Sequence, residues 1–496
     1  MVNNKKSRLL LVRLVILLVV FSLFPFLEKA NVTNNASVEA AAISKLYMPM
    51  VMRKSASLST ETVFGVGMDH FISSWGTTQM VAANITWVRL VGVLWSSIEP
   101  TQGTYNWSVL AELEGELRDA SSLGVQAILL VHSTPEWARK IAGAGPTCGP
   151  IADNKLPAFG NFMRAMVARY SVAPYNVIFW ELWNEPDTPI ISDDRGFGCW
   201  GDASDPYYGG GDYADMLKAV YPQMKAANPQ AQVLIGGLLL DCDPRGTPSV
   251  CETVHLMDPG SALPPKFLEG ILENNGGPYF DGVSFHAYDY YSQTSGQYAN
   301  PNWASAWNTT GPVLIAKSQF IQGVLSQYGV TGKYLMNTET ALICGSTGFE
   351  PQCQTEAFTN AKTYYVTKSY AAGIAEGLKA NLWYTVFGWR GSGLLNYDLS
   401  PQLAYVSFKF AISELTNTAY AGVIVPVDIG GVTGVMGYKY LRDNSLVWVL
   451  WSMDGNTHTI NLPGTPLTVW DALGNPVAPA VSINITENPY YLEWNR

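Results

Sequence analysis

Between residues 63 and 415 the chain alternates short apolar runs with longer segments of helical period, and the alternation can be counted. The apolar runs fall at 63–66, 87–93, 125–131, 177–182, 233–238, 282–285, 334–336 and 382–387. They lack the two-residue alternation of a half-solvated strand, which marks strands covered on both faces. The segments between them repeat apolar residues every three or four positions. Leu110, Leu113, Leu117 and Ala120 do so within 109–123, and Phe162, Met166 and Val167 within 159–170. Further helices are expected at 213–227, 267–272, 313–328, 357–377 and 402–415, with stops at Gly124, Asn228-Pro229, Asn274-Asn275-Gly276 and Gly329. Eight parallel strand–helix units predict an α/β fold, a (β/α)8 TIM barrel over 61–415. The competing open, doubly wound sheet usually carries a Gly-rich phosphate turn, and neither GxGxxG nor GxxxxGK[ST] occurs.

After residue 416 the period changes. Short β-rich segments at 437–441, 446–451, 458–462, 467–470, 481–485 and 490–494 are separated by turns such as Asp454-Gly455-Asn456, Pro463-Gly464 and Gly474-Asn475-Pro476. They predict a small antiparallel β-sandwich-like C-terminal domain over 416–496, packed on the barrel.

At the other end, Lys5, Lys6, Arg8 and Arg13 precede an apolar run from Leu14 to Phe24 that is shorter than the ~20 residues needed to span a bilayer. This reads as a secretory leader over 1–30 followed by a linker over 31–60, so the expected location is secreted or extracellular, with cell-surface anchoring if the leader is retained. No membrane span is expected in the mature chain. Six cysteines, Cys148, Cys199, Cys242, Cys251, Cys344 and Cys353, then favour disulfides. Fifteen pairings are open. The short separations suggest 242 with 251 and 344 with 353, leaving 148 for 199. No CxxC or HExxH occurs and there are only 5 histidines, so neither a metal nor any other cofactor is expected. A net charge of −10 argues against nucleic acid as a partner.

In a barrel of this kind, chemistry gathers where strands run into the following loops. Those positions hold Arg89, near which the second strand is expected to end, His132 after the third run, Trp183-Asn184-Glu185-Pro186-Asp187 after the fourth, His286-Ala287-Tyr288 after the sixth, Asn337-Thr338-Glu339 after the seventh and Trp389 after the eighth. Strands four and seven face one another across a barrel mouth, so Glu185 and Glu339 can share one cleft. A carboxylate pair flanking an anomeric carbon is what glycoside hydrolysis needs, one protonated for the leaving oxygen and one ionised for the oxocarbenium-like centre. Arg89 and the Tyr288 hydroxyl would hold one ionised, while burial and like charge keep the other neutral. Glu181 is expected to point the other way along the strand and, at best, to support the site from behind its contacting residues. Glu136 and Asp187 read as solvated loop charges, and a rim of Asp193, Asp194, Asp202, Asp205, Asp241 and Asp243 would favour a neutral glycan.

Asn-Glu-Pro after strand four, a lone Glu after strand seven, His-x-Tyr after strand six and Trp after strand eight together resemble the clan A glycoside hydrolases over residues 60–415. Trp-Asn-Glu-Pro-Asp, the Thr-Pro-Glu-Trp-Ala of 134–138 and the appended β domain look most like family 39 and its relatives, with family 5 next. The resemblance implies Glu185 as general acid/base, Glu339 as nucleophile, Asn184 as donor to the sugar 2-hydroxyl, and retention of configuration. Carboxyls about 5 to 5.5 Å apart would agree with retention, and 6.5 Å or more with inversion. The rival readings are a transglycosylase with the same covalent intermediate and a non-catalytic carbohydrate-binding barrel. Of the 16 tryptophans, Trp95, Trp137, Trp183 and Trp389 fall at strand ends, where a flat apolar face can stack on a sugar.

Overall fold

A computed structural model describes residues 62–495, apart from 146, 148, 190–197, 199, 203, 242, 244–265, 294–306 and 308–310. The expected leader and linker, Asp193 and Asp194, and Cys148, Cys199, Cys242 and Cys251 lie outside the described residues. Strands β1 (Phe64–Met68), β2 (Trp87–Leu94), β3 (Gln126–His132), β4 (Phe179–Asn184), β5 (Gln232–Leu238), β6 (Gly282–Tyr290), β7 (Tyr334–Ile343) and β8 (Ala380–Trp383) form a closed parallel barrel in sequence order. A helix follows each: α1 (Thr77–Ala82), α2 (Ala111–Ser122), α3 (Leu156–Tyr170), α4 (Gly210–Ala227), α5 (Phe267–Glu273), α6 (Leu314–Gln327), α7 (Glu356–Ala375) and α8 (Leu403–Leu415). Among the described residues no helix is long and apolar enough to cross a membrane.

All eight apolar runs became strands, three of which differ markedly in extent. β6 and β7 continue five and seven residues beyond their apolar runs, to Tyr290 and Ile343. Their upper halves carry polar side chains into the barrel, so hydropathy stops before hydrogen bonding does. The eighth strand ends at Trp383, four residues short of the apolar run. Helix α1 went unread because six residues hold less than two turns of period.

The barrel interior is built in layers. Trp87, Ile128, Phe179, Leu234, Met336 and Leu382, from six different strands, form a buried cluster separate from the strand–helix core. Two residues further along β2, β4 and β7, on the same face by the period of two, come Arg89, Glu181 and Thr338. The polar site therefore rests on an apolar floor.

The C-terminal sheet has the order β14-β13-β16-β11-β10-β9, from β9 (Ala419–Val423), β10 (Val435–Arg442), β11 (Ser445–Ser452), β13 (Thr468–Trp470), β14 (Pro476–Val477) and β16 (Tyr490–Asn495). Strands β12 (His458–Asn461) and β15 (Ser482–Ile485) pair as a second, two-stranded sheet. Alternation along β11 places Val447, Val449 and Trp451 in the same core as the barrel helices, while Trp448 and Leu450 join Ile460 and Ile485 in a second core. Helix α7 is covered on two sides, which is why its interior lacks one polar face. The Tyr370 hydroxyl donates to the Gly65 carbonyl of β1, whereas the Tyr440 hydroxyl of β10 donates to the Ala371 carbonyl. The sheet thus buttresses the barrel.

Candidate active site

At the C-terminal mouth Arg89 of β2 reaches acceptors on two facing walls, β4 and β7. Its Nε donates to Glu181 at 2.5 Å, one Nη to Glu339 at 2.6 Å and the other to Asn184 at 2.7 Å. Burial opposes the guanidinium charge, but the Glu181 and Glu339 carboxylates outweigh it and raise the Arg89 pKa above its ordinary value. Glu181 also accepts from the Thr338 hydroxyl at 2.8 Å and is completely buried. The expectation that it points away is corrected. It shares the inward face of β4 with Phe179, and supports the site from below through Arg89.

Glu339 is placed by a bulge. Phe285 pairs with Asn337 and His286 with Glu339, so β7 holds one extra residue, Thr338, and two consecutive side chains turn inward. The second Glu339 oxygen accepts from the Tyr288 hydroxyl. Around that phenol stand Tyr384 and Trp389, with ring centroids 6.2 and 5.3 Å from it. Trp389 is 39% exposed, and Tyr384 is a further wall residue that sequence reasoning missed.

Glu185 lies beyond β4 in the left-handed backbone region, φ 49°, as does Trp183 at φ 71°. Such conformations cost about 1–2 kcal/mol each and persist where surroundings over-determine them. Here the Glu185 amide donates to the Gly237 carbonyl at 2.9 Å. The Gly236-Gly237 pair of β5 makes this approach feasible. A Cβ on Gly236 would lie 2.1 Å from the Trp183 carbonyl oxygen, and one on Gly237 would lie 2.2 Å from the His286 ring. Two adjacent glycines inside an apolar strand were the available signal for this close packing.

His286 is fully buried, and its Nδ1 lies 2.8 Å from Glu185 and 3.5 Å from Glu339. Burial lowers its pKa to about 4, so the ring is neutral and its proton belongs on the nitrogen facing the carboxylates. Burial also pushes Glu185 up to about 7, against the pull of Arg89 and Lys317. Lys317 is buried on α6 and donates to the Leu239 and His286 carbonyls at 2.7 and 2.8 Å. Its place on the apolar stripe with Ile321 and Val324 was the signal that could have found it.

Other expectations fall differently. His132 ends β3 opposite Leu94 and is buried. Asp187 is no solvated loop charge. It is buried and accepts the backbone amides of Leu239 and Leu240 at 2.8 Å each, with its pKa pushed by burial to about 7. Trp95 and Trp183 are fully buried and unavailable for stacking on a ligand, because each turns outward against α3, to Phe162 and Phe159 respectively. Trp137 is half-buried, with its indole nitrogen on the Glu99 carbonyl. Asp202 and Asp205 hold the turns before α4, accepting amides at Ser204, Tyr207 and Gly209. Of the expected disulfides, Cys344–Cys353 is described, with Cα atoms 5.6 Å apart.

Glu185, His286 and Glu339 each present an atom within 4.8 Å of the others, the group among the described residues that could hold a metal ion. Both Glu339 oxygens already accept hydrogen bonds, from Arg89 and Tyr288, which leaves that carboxylate poorly placed to serve as a metal ligand.

A (β/α)8 barrel whose mouth joins two carboxylates from β4 and β7, with rings beside them, defines the glycoside hydrolase class. The family model described as Cellulase (glycosyl hydrolase family 5) matches residues 57–370, and the chain belongs to that family. Clan A thus holds, and the matching model is that of the family ranked second on sequence. No curated protein matches the chain. Among solved structures it is similar to a family 39 glycoside hydrolase from the gut symbiont Bacteroides cellulosilyticus WH2, at 18% identity and TM-score 0.62, over 87% of this chain and 81% of that one. A family 30 subfamily 8 xylanase from Clostridium acetobutylicum aligns at 12% identity and TM-score 0.56, over 88% and 97% of the two chains. A monomeric beta-xylosidase from Caulobacter crescentus CB15 aligns at 13% identity and TM-score 0.51, over 88% and 96%. These likenesses speak to the fold.

Proposed function

We propose that the chain is a secreted, retaining O-glycoside hydrolase acting on a neutral polysaccharide or oligosaccharide, with Glu185 as general acid/base and Glu339 as nucleophile. The observation that carries this reading is the pair itself. An oxygen of one carboxyl lies within 4.8 Å of an oxygen of the other, which favours the short carboxyl separation of a retaining enzyme. The environments separate the two roles. Glu339 faces the donors Arg89 and Tyr288, while burial keeps a proton on Glu185 up to about pH 7.

In the first step a Glu339 oxygen bonds to the anomeric carbon as the glycosidic C–O bond breaks, and the Glu185 proton passes to the leaving oxygen. In the second, Glu185 takes a proton from water, whose oxygen bonds to the same carbon as the ester to Glu339 breaks. The Asn184 carbonyl oxygen is fixed on Arg89, which makes its amide nitrogen the end that donates to the sugar's 2-hydroxyl. Trp389 offers a ring face at the rim. The apolar run after Lys5, Lys6, Arg8 and Arg13 supports export, and Asp241 beyond β5 supports a neutral substrate, whereas Asp243 is buried.

Glu339→Gln should abolish hydrolysis while circular dichroism stays unchanged; an active Glu339→Gln enzyme sinks the assignment. Azide added to Glu339→Ala with an activated aryl glycoside should yield the glycosyl azide of inverted configuration. Absence of that product would count against Glu339 as nucleophile.

A further inference from the structure

On the far side of the loop that carries Trp389 lies a hollow of about 500 Å3, within the size range of small-ligand sites. It opens between the β7–α7 loop and the β8–α8 loop, and none of Glu185, Glu339 and Tyr288 lines it. Two of its lining residues are Phe349 and Tyr397, exposed by 78% and 81%. Single exposed rings are ordinary, but two bordering one hollow are not explained by packing of the fold.

Tyr397 is held ready. One face lies parallel on Phe387, with centroids 5.6 Å apart and planes 16° apart, and Phe387 in turn rests edgewise on Trp75 at 5.8 Å. The opposite face of the ring is turned to solvent. The buried part of the lining is mixed, with Lys362 beside Cys353, Phe358 and Leu395, while the carboxamides of Gln354 and Asn396 are exposed. Lys362 donates to the Gly391 and Gly393 carbonyls and to Gln402, and Gln354 and Asn396 add carboxamides beside the two rings. The hydrogen bonds of Lys362 and the Cys344–Cys353 bridge fix both walls, so the hollow does not depend on a ligand for its shape. Flat apolar faces beside carboxamides suit a pyranose, which offers an apolar C–H face and an equatorial girdle of hydroxyls. Gly388 and Gly391, which flank Trp389 in sequence, also line the hollow, so it is continuous with the loop at the catalytic mouth.

We propose that the hollow between Phe349 and Tyr397 is a second carbohydrate-binding site, taking a sugar unit of a polymeric substrate away from the carboxylate pair. This rests on the glycosidase reading. The site raises affinity for long chains and leaves the bond-breaking step alone.

The test uses the full chain carrying Glu339→Gln, run in native gels cast with hydroxyethyl cellulose, xylan, galactomannan or laminarin. Adding Phe349→Ala and Tyr397→Ala should weaken retardation by the retained polymer at least fivefold, and Tyr397→Trp should restore it. In the hydrolytically intact chain the same pair should lower kcat/KM on that polymer about tenfold through KM, leaving kcat/KM on its 4-nitrophenyl glycoside unchanged. Unaltered retardation, no retardation of the parent by any of the four, or an equal loss on the small glycoside overturns the proposal. Ring-dependent retardation by a chain that hydrolyses none of these substrates would instead defeat the catalytic reading and leave the binding site standing.

Discussion

Arg89 touches Glu181, Glu339 and Asn184 through three different nitrogens, a fork that lysine's single ammonium cannot reproduce. Hydrogen bonds to charged groups contribute roughly 1.5–3 kcal/mol each, so Arg89→Lys should lower kcat/KM by about 10- to 100-fold for each hydrogen bond removed. Arg89→Met, which leaves buried carboxylates unpaired, should cost about 3–5 kcal/mol of stability in urea unfolding. The raised Glu185 pKa sets a pH limb. The acid is protonated below about 7, so kcat/KM should fall tenfold per unit above it. Glu185→Gln should remove that limb for an activated aryl glycoside, and an alkaline limb that survives the substitution would contradict the assignment. What was legible at this scale was residue type: Glu185, His286, Tyr288 and Glu339, beyond their apolar runs, converge with Arg89, which lies inside β2 and not at the strand end where it was expected. What was not legible depends on partners distant in sequence. Nothing near Asp187 announces that the Leu239 and Leu240 amides will close on it. Nor does a tryptophan at a strand end declare whether it will face a ligand or, like Trp95, the helix outside.

Elements carry the next level of constraint. Apolar runs located all eight strands because each strand's lower half faces the packed interior. The same signal failed in the upper halves of β6 and β7, where the interior is the site and the inward residues are His286, Tyr288 and Glu339. A bulge such as that at Thr338 leaves no trace in hydropathy, since it is a matter of pairing between chain segments that lie far apart in sequence. The Gly236-Gly237 pair is the corresponding feature of β5. Gly237→Ala would drive a methyl into the His286 ring, and overpacking of this kind costs about 1–3 kcal/mol. A lowered thermal midpoint with a displaced pH limb is the expected outcome; loss of stability with an unmoved limb would show that His286 does not position Glu185.

For the molecule as a whole, barrel and sheet share one core through α7, α8 and the inward face of β10, β11 and β16. Phe410 of α8 packs edgewise on Tyr491 and Trp470, and the Tyr491 hydroxyl lies 3.0 Å from the Thr367 hydroxyl. Calorimetry should therefore record one unfolding transition for both parts, and two resolved transitions would refute the shared core. Tyr440→Phe and Tyr491→Phe should each cost about 1 kcal/mol without changing kcat/KM. The change of period after 416 made this second layer legible in the sequence. Its docking face was not, because Tyr438, Tyr440 and Tyr491 read equally well as an open aromatic surface.

The order of strands in that sheet has a consequence for biosynthesis. β16, made last of the sheet's strands, sits between β11 and β13 and is paired along both edges. A ribosome-bound chain that has emitted everything up to β15 therefore holds two half-sheets with a gap between them, and the faces of α7 and α8 meant for Tyr491 are still uncovered. The barrel's strands can pair in the order in which they emerge, whereas its outer wall closes only when residues 490–495 slot into the gap. Chaperone dependence should therefore persist until the end of the sheet has been translated, long after both carboxylates of the catalytic mouth have left the ribosome.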